Sequence, residues 1–280
     1  MKHVTRSLVI ALGAIAFAGP ALAADLDLPI YVDEAPEYKP VEIGNGWYLR
    51  GDISYSVKSS GKVTDYRTFA GGAYGSNNFQ TGDISSTWGG SVGVGYTFNR
   101  WMRADVTIDK FSGKFNGTTA TATPCLPGYT IGTTCASTDT ARFDAYSLMA
   151  NGYIDLGTIK NITPYVGAGA GVTAVRWNNL TNNSFCVNGV GACTAADAAI
   201  STQHPGLSSY RMTYALMAGA SYDISKNLKF DVGYRYKKVA GGDFFGFDAA
   251  TAAAGATGAQ ARDKGITTHE VRMGMRYSLW

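Results

Sequence analysis

From Trp47 onward the chain repeats one cycle: an alternating apolar and polar segment of about ten residues, a short turn, a second such segment, then a long polar connection. A period of two sends successive side chains to opposite faces of a strand, so each segment has one greasy face and one polar face. In the first segment Trp47, Leu49, Gly51, Ile53 and Tyr55 share a face, and Tyr48, Arg50, Asp52 and Ser54 share the other. The second sets Trp88, Val92, Val94, Tyr96 and Phe98 against Gly89, Ser91, Gly93, Gly95 and Thr97, and the third sets Met102, Ala104, Val106 and Ile108 against Arg103, Asp105, Thr107 and Asp109. Further segments follow at Phe143 to Leu156, Thr163 to Val175, Tyr210 to Ile224, Lys229 to Tyr236 and Glu270 to Leu279. The phase of the Thr163 segment rests mostly on Gly and Ala, which fit either side.

The connections discriminate between the two fates open to an exported β-protein, a soluble periplasmic domain and an outer-membrane barrel. Turns at Asn99-Arg100, Gly157 to Ile162 and Ser225 to Asn227 are short, whereas Val57 to Ser86, Ser112 to Arg142, Arg176 to Ser209 and Lys238 to Thr268 each hold roughly thirty residues. A soluble sandwich has no special end and no reason to alternate loop length. A membrane barrel has tight periplasmic turns and long extracellular loops. Ten residues at about 3.3 Å each, tilted by about 40°, also span about 25 Å, the height of the apolar band of such barrels. Trp47, Tyr96, Phe98, Trp101, Tyr222, Phe230, Tyr277 and Trp280 gather at turn-side strand ends, where a ring keeps its body in lipid and its edge in water. The expected fold is therefore all-β, an eight-stranded antiparallel up-and-down transmembrane β-barrel over residues 47–280 with long extracellular loops.

The residues before Trp47 fit this location. Lys2 and Arg6 precede the apolar run Leu8 to Phe17, and Ala21-Leu22-Ala23 supplies small residues for cleavage, so 1–23 reads as a secretory signal peptide. That run of about ten residues is half of what a membrane helix needs. Segment 24–46, with Pro29, Pro36 and Pro40 among several acids, has neither strand nor helix period and is expected to be a flexible periplasmic lead-in. Losing Lys2 and Arg6 takes the formal net charge from +3 to +1, too balanced to argue for nucleic acid.

Arg50, Asp52, Arg103, Asp105, Asp109, Asp231, Arg235, Glu270, Arg272 and Arg276 all fall on the polar faces. A cation at mid-depth in lipid costs about 2–4 kcal/mol, so these charges must face a lumen and pair there. Arg50-Gly51-Asp52 and Arg103-Ala104-Asp105 repeat one spacing that puts both charges on the same face. An ion or proton relay is one reading. A structural salt-bridge plug is favoured, because an eight-stranded interior is only wide enough for side chains. The same inward placement removes the Arg50-Gly51-Asp52 tripeptide from any adhesion receptor.

Cys125 and Cys135 lie in the second long connection and Cys186 and Cys193 in the third, so an exported chain is expected to form two intraloop disulfides. Zinc is the alternative, but no Cys-x-x-Cys or His cluster supports it. His204 and Tyr210 carry side chains that can ligate haem iron and are the candidates for such a site, with an ordinary loop histidine as the simpler reading. His269-Glu270 invites comparison with rim hydrolases, yet adjacent strand residues face opposite ways and no nucleophile accompanies them. Gly167 to Gly171 lacks the strand-turn-helix setting of a phosphate cradle and is expected to make room for bulky lumen neighbours.

Gly46-Trp47-Tyr48-Leu49-Arg50-Gly51-Asp52, Asn151-Gly152-Tyr153-Ile154-Asp155-Leu156-Gly157, Thr163-Pro164-Tyr165-Val166-Gly167-Ala168-Gly169 and Val271-Arg272-Met273-Gly274-Met275-Arg276-Tyr277 resemble the small outer-membrane β-barrel proteins of alphaproteobacteria, the 25/31-kDa major surface-protein family. The resemblance implies an abundant eight-stranded barrel that supports envelope integrity and host contact, with haemin binding in some members. It covers about Trp47 to Trp280 and transfers no ligand residue. Barrel proteins usually end in an aromatic residue with another two positions earlier, whereas here Ser278 stands two before Trp280 and Tyr277 three. The expectation is a non-enzymatic barrel without a resident cofactor, in contact with outer-membrane lipid and lipopolysaccharide. Trp280 is expected to engage the barrel-assembly machinery, and the loops to carry any host-surface ligand. Haem or small-ligand binding, or narrow solute passage, is the alternative.

Overall fold

The computed structural model describes residues 46–126 and 128–279. The expected signal peptide, the lead-in up to residue 45, and Trp280 lie outside the described residues. Along the chain run β1 (Trp47–Gly61), β2 (Asp65–Ala70), β3 (Ala73–Asn78), β4 (Thr81–Asn99), β5 (Met102–Thr121), β6 (Thr134–Asp155), β7 (Ile162–Trp177), β8 (Leu180–Val187), β9 (Ile200–His204), β10 (Ser208–Asp223), β11 (Leu228–Val239), β12 (Gly242–Gly246), the short helix α1 (Ala249–Ala253), β13 (Ala259–Asp263) and β14 (Ile266–Ser278).

Eight strands, β1, β4, β5, β6, β7, β10, β11 and β14, pair antiparallel in chain order, and β1 returns to β14 from Tyr48↔Ser278 to Gly61↔Ile266. The result is a closed ring. Closure gives every ring strand a partner on both sides, so no edge is left with unpaired N–H and C=O groups. The turn-side end is tied by Asn99, whose Oδ1 accepts hydrogen bonds from the backbone of Trp101 and Met102. Lys160 and Asn161 adopt left-handed φ values of 48° and 66° in the β6–β7 turn.

The ring sorts side chains as the period of two requires. Leu49, Ile53, Val92, Ile108, Leu148, Leu216 and Met273 are exposed on the outer face, and Arg50, Asp52, Arg103, Asp105, Asp109, Arg235 and Glu270 are buried inside. Such an apolar band suits lipid rather than water. Its upper edge is visible in the outward residues themselves, which turn charged at Lys58, Lys110, Asp144, Arg176 and Lys238. Aromatics bracket the band in pairs eight residues apart: Trp47 and Tyr55, Trp88 and Tyr96, Tyr214 and Tyr222. Eight residues on a strand tilted by about 40° rise about 20 Å, close to the hydrocarbon height of such a wall. The second aromatic belt, on the side away from the short turns, was not expected from the sequence. Its signal was the spacing of eight.

The long connections differ from the expectation of loops. Pairing of β5 with β6 continues from Met102↔Ile154 to Thr121↔Cys135, and β6 alone holds 22 residues. At that length a tilted strand rises about 50 Å, twice the apolar band. Residues 57–86 contain the end of β1, the β2–β3 hairpin and the start of β4, and 176–209 contain the β8–β9 hairpin. Residues 238–268 contain β12, α1 and β13. β12, β13, β2 and β3 form a second, four-stranded sheet, and β8 adds to the extended part of β6. Thr, Ser, Asn and Gly dominate these stretches, so they read as polar loop; they become strands because a neighbouring chain segment satisfies their backbone.

What these elements cover is apolar. Phe115, Phe143, Trp177, Ile84, Ile266 and Phe244 form a buried layer inside the ring beyond the charged zone. Phe244 comes from β12 and is 0% exposed, with its ring 4.2 Å from Trp177 and 4.8 Å from Phe115. Its carbonyl accepts from Leu207 N at 3.0 Å, and Gly246 N donates to Pro205 O at 2.8 Å, so the β12 backbone is stitched across the mouth of the ring. Removing that ring empties a fully enclosed site. Phe244→Ala should lower unfolding free energy in detergent micelles by about 3–5 kcal/mol, read from urea titration of tryptophan fluorescence.

Candidate functional site: the charged interior and the loop cavity

The inward charges assemble into three groups. In the first, Arg50 holds Asp52 at 2.8 Å and Asp105 at 2.7 Å, and Arg272 reaches Asp52 at 2.9 Å. Tyr48 and Tyr153 hydroxyls, Ser91 and Asn151 fill the remaining hydrogen-bonding positions around these carboxylates and Arg50. In the second, Arg235 bridges Asp109 at 2.8 Å and Glu270 at 2.6 Å, while Lys237 approaches Glu270 at 3.1 Å and stands over the Phe111 ring. In the third, Arg103 pairs with Asp155 at 3.1 Å and lies against the rings of Tyr153 and Tyr165, and Arg276 pairs with Asp231 at 3.3 Å.

Each group holds two cations and two anions and is electrically neutral. All ten charges predicted for the lumen are therefore inside and paired. Two members were missing from that prediction: Asp155, which lies on the polar face of the Phe143 to Leu156 segment, and Lys237, signalled by extending the period of two by one step beyond Arg235. Arg50-Gly51-Asp52 is buried at both charges. Inward glycines do make room: a Cβ on Gly167 of β7 would come 2.6 Å from Tyr153 Cδ1, and one on Gly233 of β11 would come 2.6 Å from the Tyr165 hydroxyl.

Above this zone the two expected disulfides are formed, Cys125 with Cys135 and Cys186 with Cys193. Each closes a short stretch of chain, and Gly191 N donates to Gly132 O at 2.9 Å to tie the two stretches together, with further bonds just beyond Cys193. Asp197 accepts from the backbone and hydroxyl of both Thr130 and Thr194, and Tyr129 donates to Ala198 O at 2.9 Å. Those backbone N–H groups hold the Asp197 carboxyl well below the usual carboxylate range.

Beside them lies a cavity of about 380 Å³. His204 lines it, half-buried and with its ring 5.4 Å from Phe245, and burial pushes its imidazole down, outweighing Asp248, Gln260 and Asp139. Tyr210 does not line it; that side chain is 85% exposed on the outer face of β10. The structure thus does not bring the two haem candidates to a common site, because His204 ends β9 of the crown hairpin whereas Tyr210 stands on the outer face of ring strand β10. His269 and Glu270 separate likewise: His269 bonds the Tyr234 hydroxyl, and Glu270 belongs to the buried ion group.

The model of the outer membrane protein beta-barrel domain family matches residues 9–278. A Brucella suis biovar 1 chain, described as an uncharacterized protein, is 35% identical over 99% of both chains. A Rickettsia bellii chain described as a candidate adhesin is 28% identical over 70% of this chain and 73% of its own. Among solved structures, neisserial surface protein A is similar at a TM-score of 0.42 and 15% identity, covering 84% of this chain and 97% of that one. With a family match spanning the closed ring, its lipid-suited outer face and its ion-paired interior, the chain belongs to the outer membrane protein β-barrel family and resides in the outer membrane.

Proposed function

We propose that this protein is a non-conducting, non-enzymatic outer-membrane barrel that supports the envelope through its wall and contacts external surfaces through its folded crown. In this reading the eight ring strands cross the membrane, the short turns face the periplasm, and the extended hairpins stand outside the cell. One observation carries it: three neutral ion groups lie beneath a buried aromatic layer, and paired side chains occupy the interior. An ion relay would need a group able to change its charge state freely, whereas each interior cation here is held by a carboxylate. The crown is a disulfide-pinned platform in place of slack loops, which suits recognition because little order has to be acquired on binding. The Rickettsia relative's description agrees with a surface-contact role. The narrower kinship with the 25/31-kDa alphaproteobacterial surface proteins, contact with lipopolysaccharide, and assembly through Trp280 belong to the same proposal and rest on the strand motifs.

In planar bilayers the native protein should produce no channel events at high protein load, and regular unitary conductance would end the plug reading. Arg235→Met strands Asp109 and Glu270 together in a buried site, so it should destabilise the barrel by about 3–5 kcal/mol, and Asp109→Asn added to it should recover part of that loss in a double-mutant cycle. Cys125→Ser with Cys186→Ser should lower bacterial attachment to host cells while leaving the amount of heat-modifiable barrel in outer-membrane fractions unchanged. Equal attachment by the unpinned crown would count against a contact role for these loops.

A further inference from the structure

The loop cavity is electrostatically unlike the rest of the interior. Every carboxylate in the three lumen groups has a cationic partner, and Asp263 in the crown is held by Arg211 at 2.8 Å. Asp139 does not. It is 2% exposed, lines the cavity, and among the described residues is met only by neutral donors, Ser137 Oγ at 2.8 Å and Asn182 Nδ2 at 2.6 Å. Asp248 lines the same cavity; it caps α1 by accepting from Ala250 N and Thr251 N and also lacks an ion pair. Two carboxylates therefore share a partly open cavity in which His204 is the only titratable base among the described lining residues, and burial pushes that imidazole toward its neutral form, an arrangement that costs free energy until something cationic enters.

The unmet hydrogen-bonding capacity points to the same class of ligand. Gln260 is 9% exposed, and its Nε2 is committed to Arg67 O at 3.1 Å, which leaves Oε1 in the cavity wall, buried and without a partner. His204 Nδ1 is also buried without a partner. In a neutral imidazole one ring nitrogen accepts, so carboxylate, amide oxygen and imidazole can all serve as acceptors here. Phe79 and Phe245 supply aromatic walls, and a cation beside a ring face gains further attraction. Among the described residues no group of three His, Cys, Asp or Glu side chains is placed to hold a metal ion, which favours an organic cation. The volume of about 380 Å³ is within the range of small-molecule sites.

We propose that this cavity binds a small organic cation carrying N–H donors, a primary alkylammonium, with Asp139 as the principal counter-ion and Gln260 Oε1 as a hydrogen-bond acceptor. The ammonium would supply the charge that Asp139 and Asp248 lack and the donors that Gln260 and His204 lack. The aromatic walls would take an attached hydrocarbon or ring. This site stands apart from the surface-contact reading, and either can fail without the other.

Calorimetric titration of the refolded full chain in detergent micelles with benzylammonium, and with benzyl alcohol as the neutral isostere, tests the assignment. Saturable benzylammonium binding with Kd at or below about 1 mM is expected, with benzyl alcohol at least roughly tenfold weaker. Asp139→Asn removes the charge at nearly constant shape and should weaken benzylammonium at least roughly tenfold, whereas Asp83→Asn, at an exposed carboxylate outside the cavity, should leave it unchanged. Gln260→Leu should weaken it severalfold and provides a second reading should Asp139→Asn fail to show the heat-modifiable migration of a folded barrel. Absence of saturation up to about 10 mM, equal affinity for the alcohol, or native affinity in both folded variants would overturn the proposal.

Discussion

The structure depends on charge neutralisation inside a closed sheet. A ring of eight antiparallel strands satisfies its backbone only if it has no edge, and closure commits every second side chain to an interior about wide enough for side chains to fill. Arginines and carboxylates placed there have only one another. The neutrality of each group, two cations against two anions, lets such polar strands be buried at all. Bulky inward side chains also need vacancies opposite them, and glycines such as Gly167 and Gly233 provide the space for Tyr153 and Tyr165.

Above the charged zone the same ring changes character. The outer face becomes charged at Lys110, Asp144 and Arg176 while the inner face becomes aromatic at Phe115, Phe143 and Trp177. This inversion marks where lipid gives way to water: outside, polar groups are now solvated, and inside, the chain builds an ordinary hydrophobic core. Phe244 completes that core from β12, so the crown is fastened to the wall by packing as well as by covalent connection. A crown anchored in this way can hold a shaped cavity, and Asp139 lies on the part of β6 that has already left the apolar band.

Much of the candidate site was legible one residue at a time. The lumen charges followed from the period of two, because putting them outward would expose ions to lipid, and both disulfides followed from the proximity of exported cysteines. Lys237 was missed because its strand was read one step too short, whereas Asp155 already fell on the polar face of Phe143 to Leu156 and was left out of the charge network. The association of His204 with Tyr210 failed for a different reason. Closeness along the chain was taken for closeness in space, although β9 and β10 direct these side chains to a cavity wall and to the outer face.

The alternation of side chains by itself determined the ring wall and its inward and outward faces, whereas the phase of β7, whose middle is glycine and alanine, was decided by its pairing with β6 and β10. It did not determine the crown. Thr, Ser and Asn stretches carry no periodic apolar signal, so whether they run as slack loop or as strand is decided by which segment comes to lie beside them. The pairing of particular ions, the insertion of Phe244, and the carboxylates left facing a cavity without a countercharge are contacts between residues far apart in the chain. Only the tertiary structure decided these, because closing the ring and folding the hairpins over it set which distant side chains share a low-dielectric space.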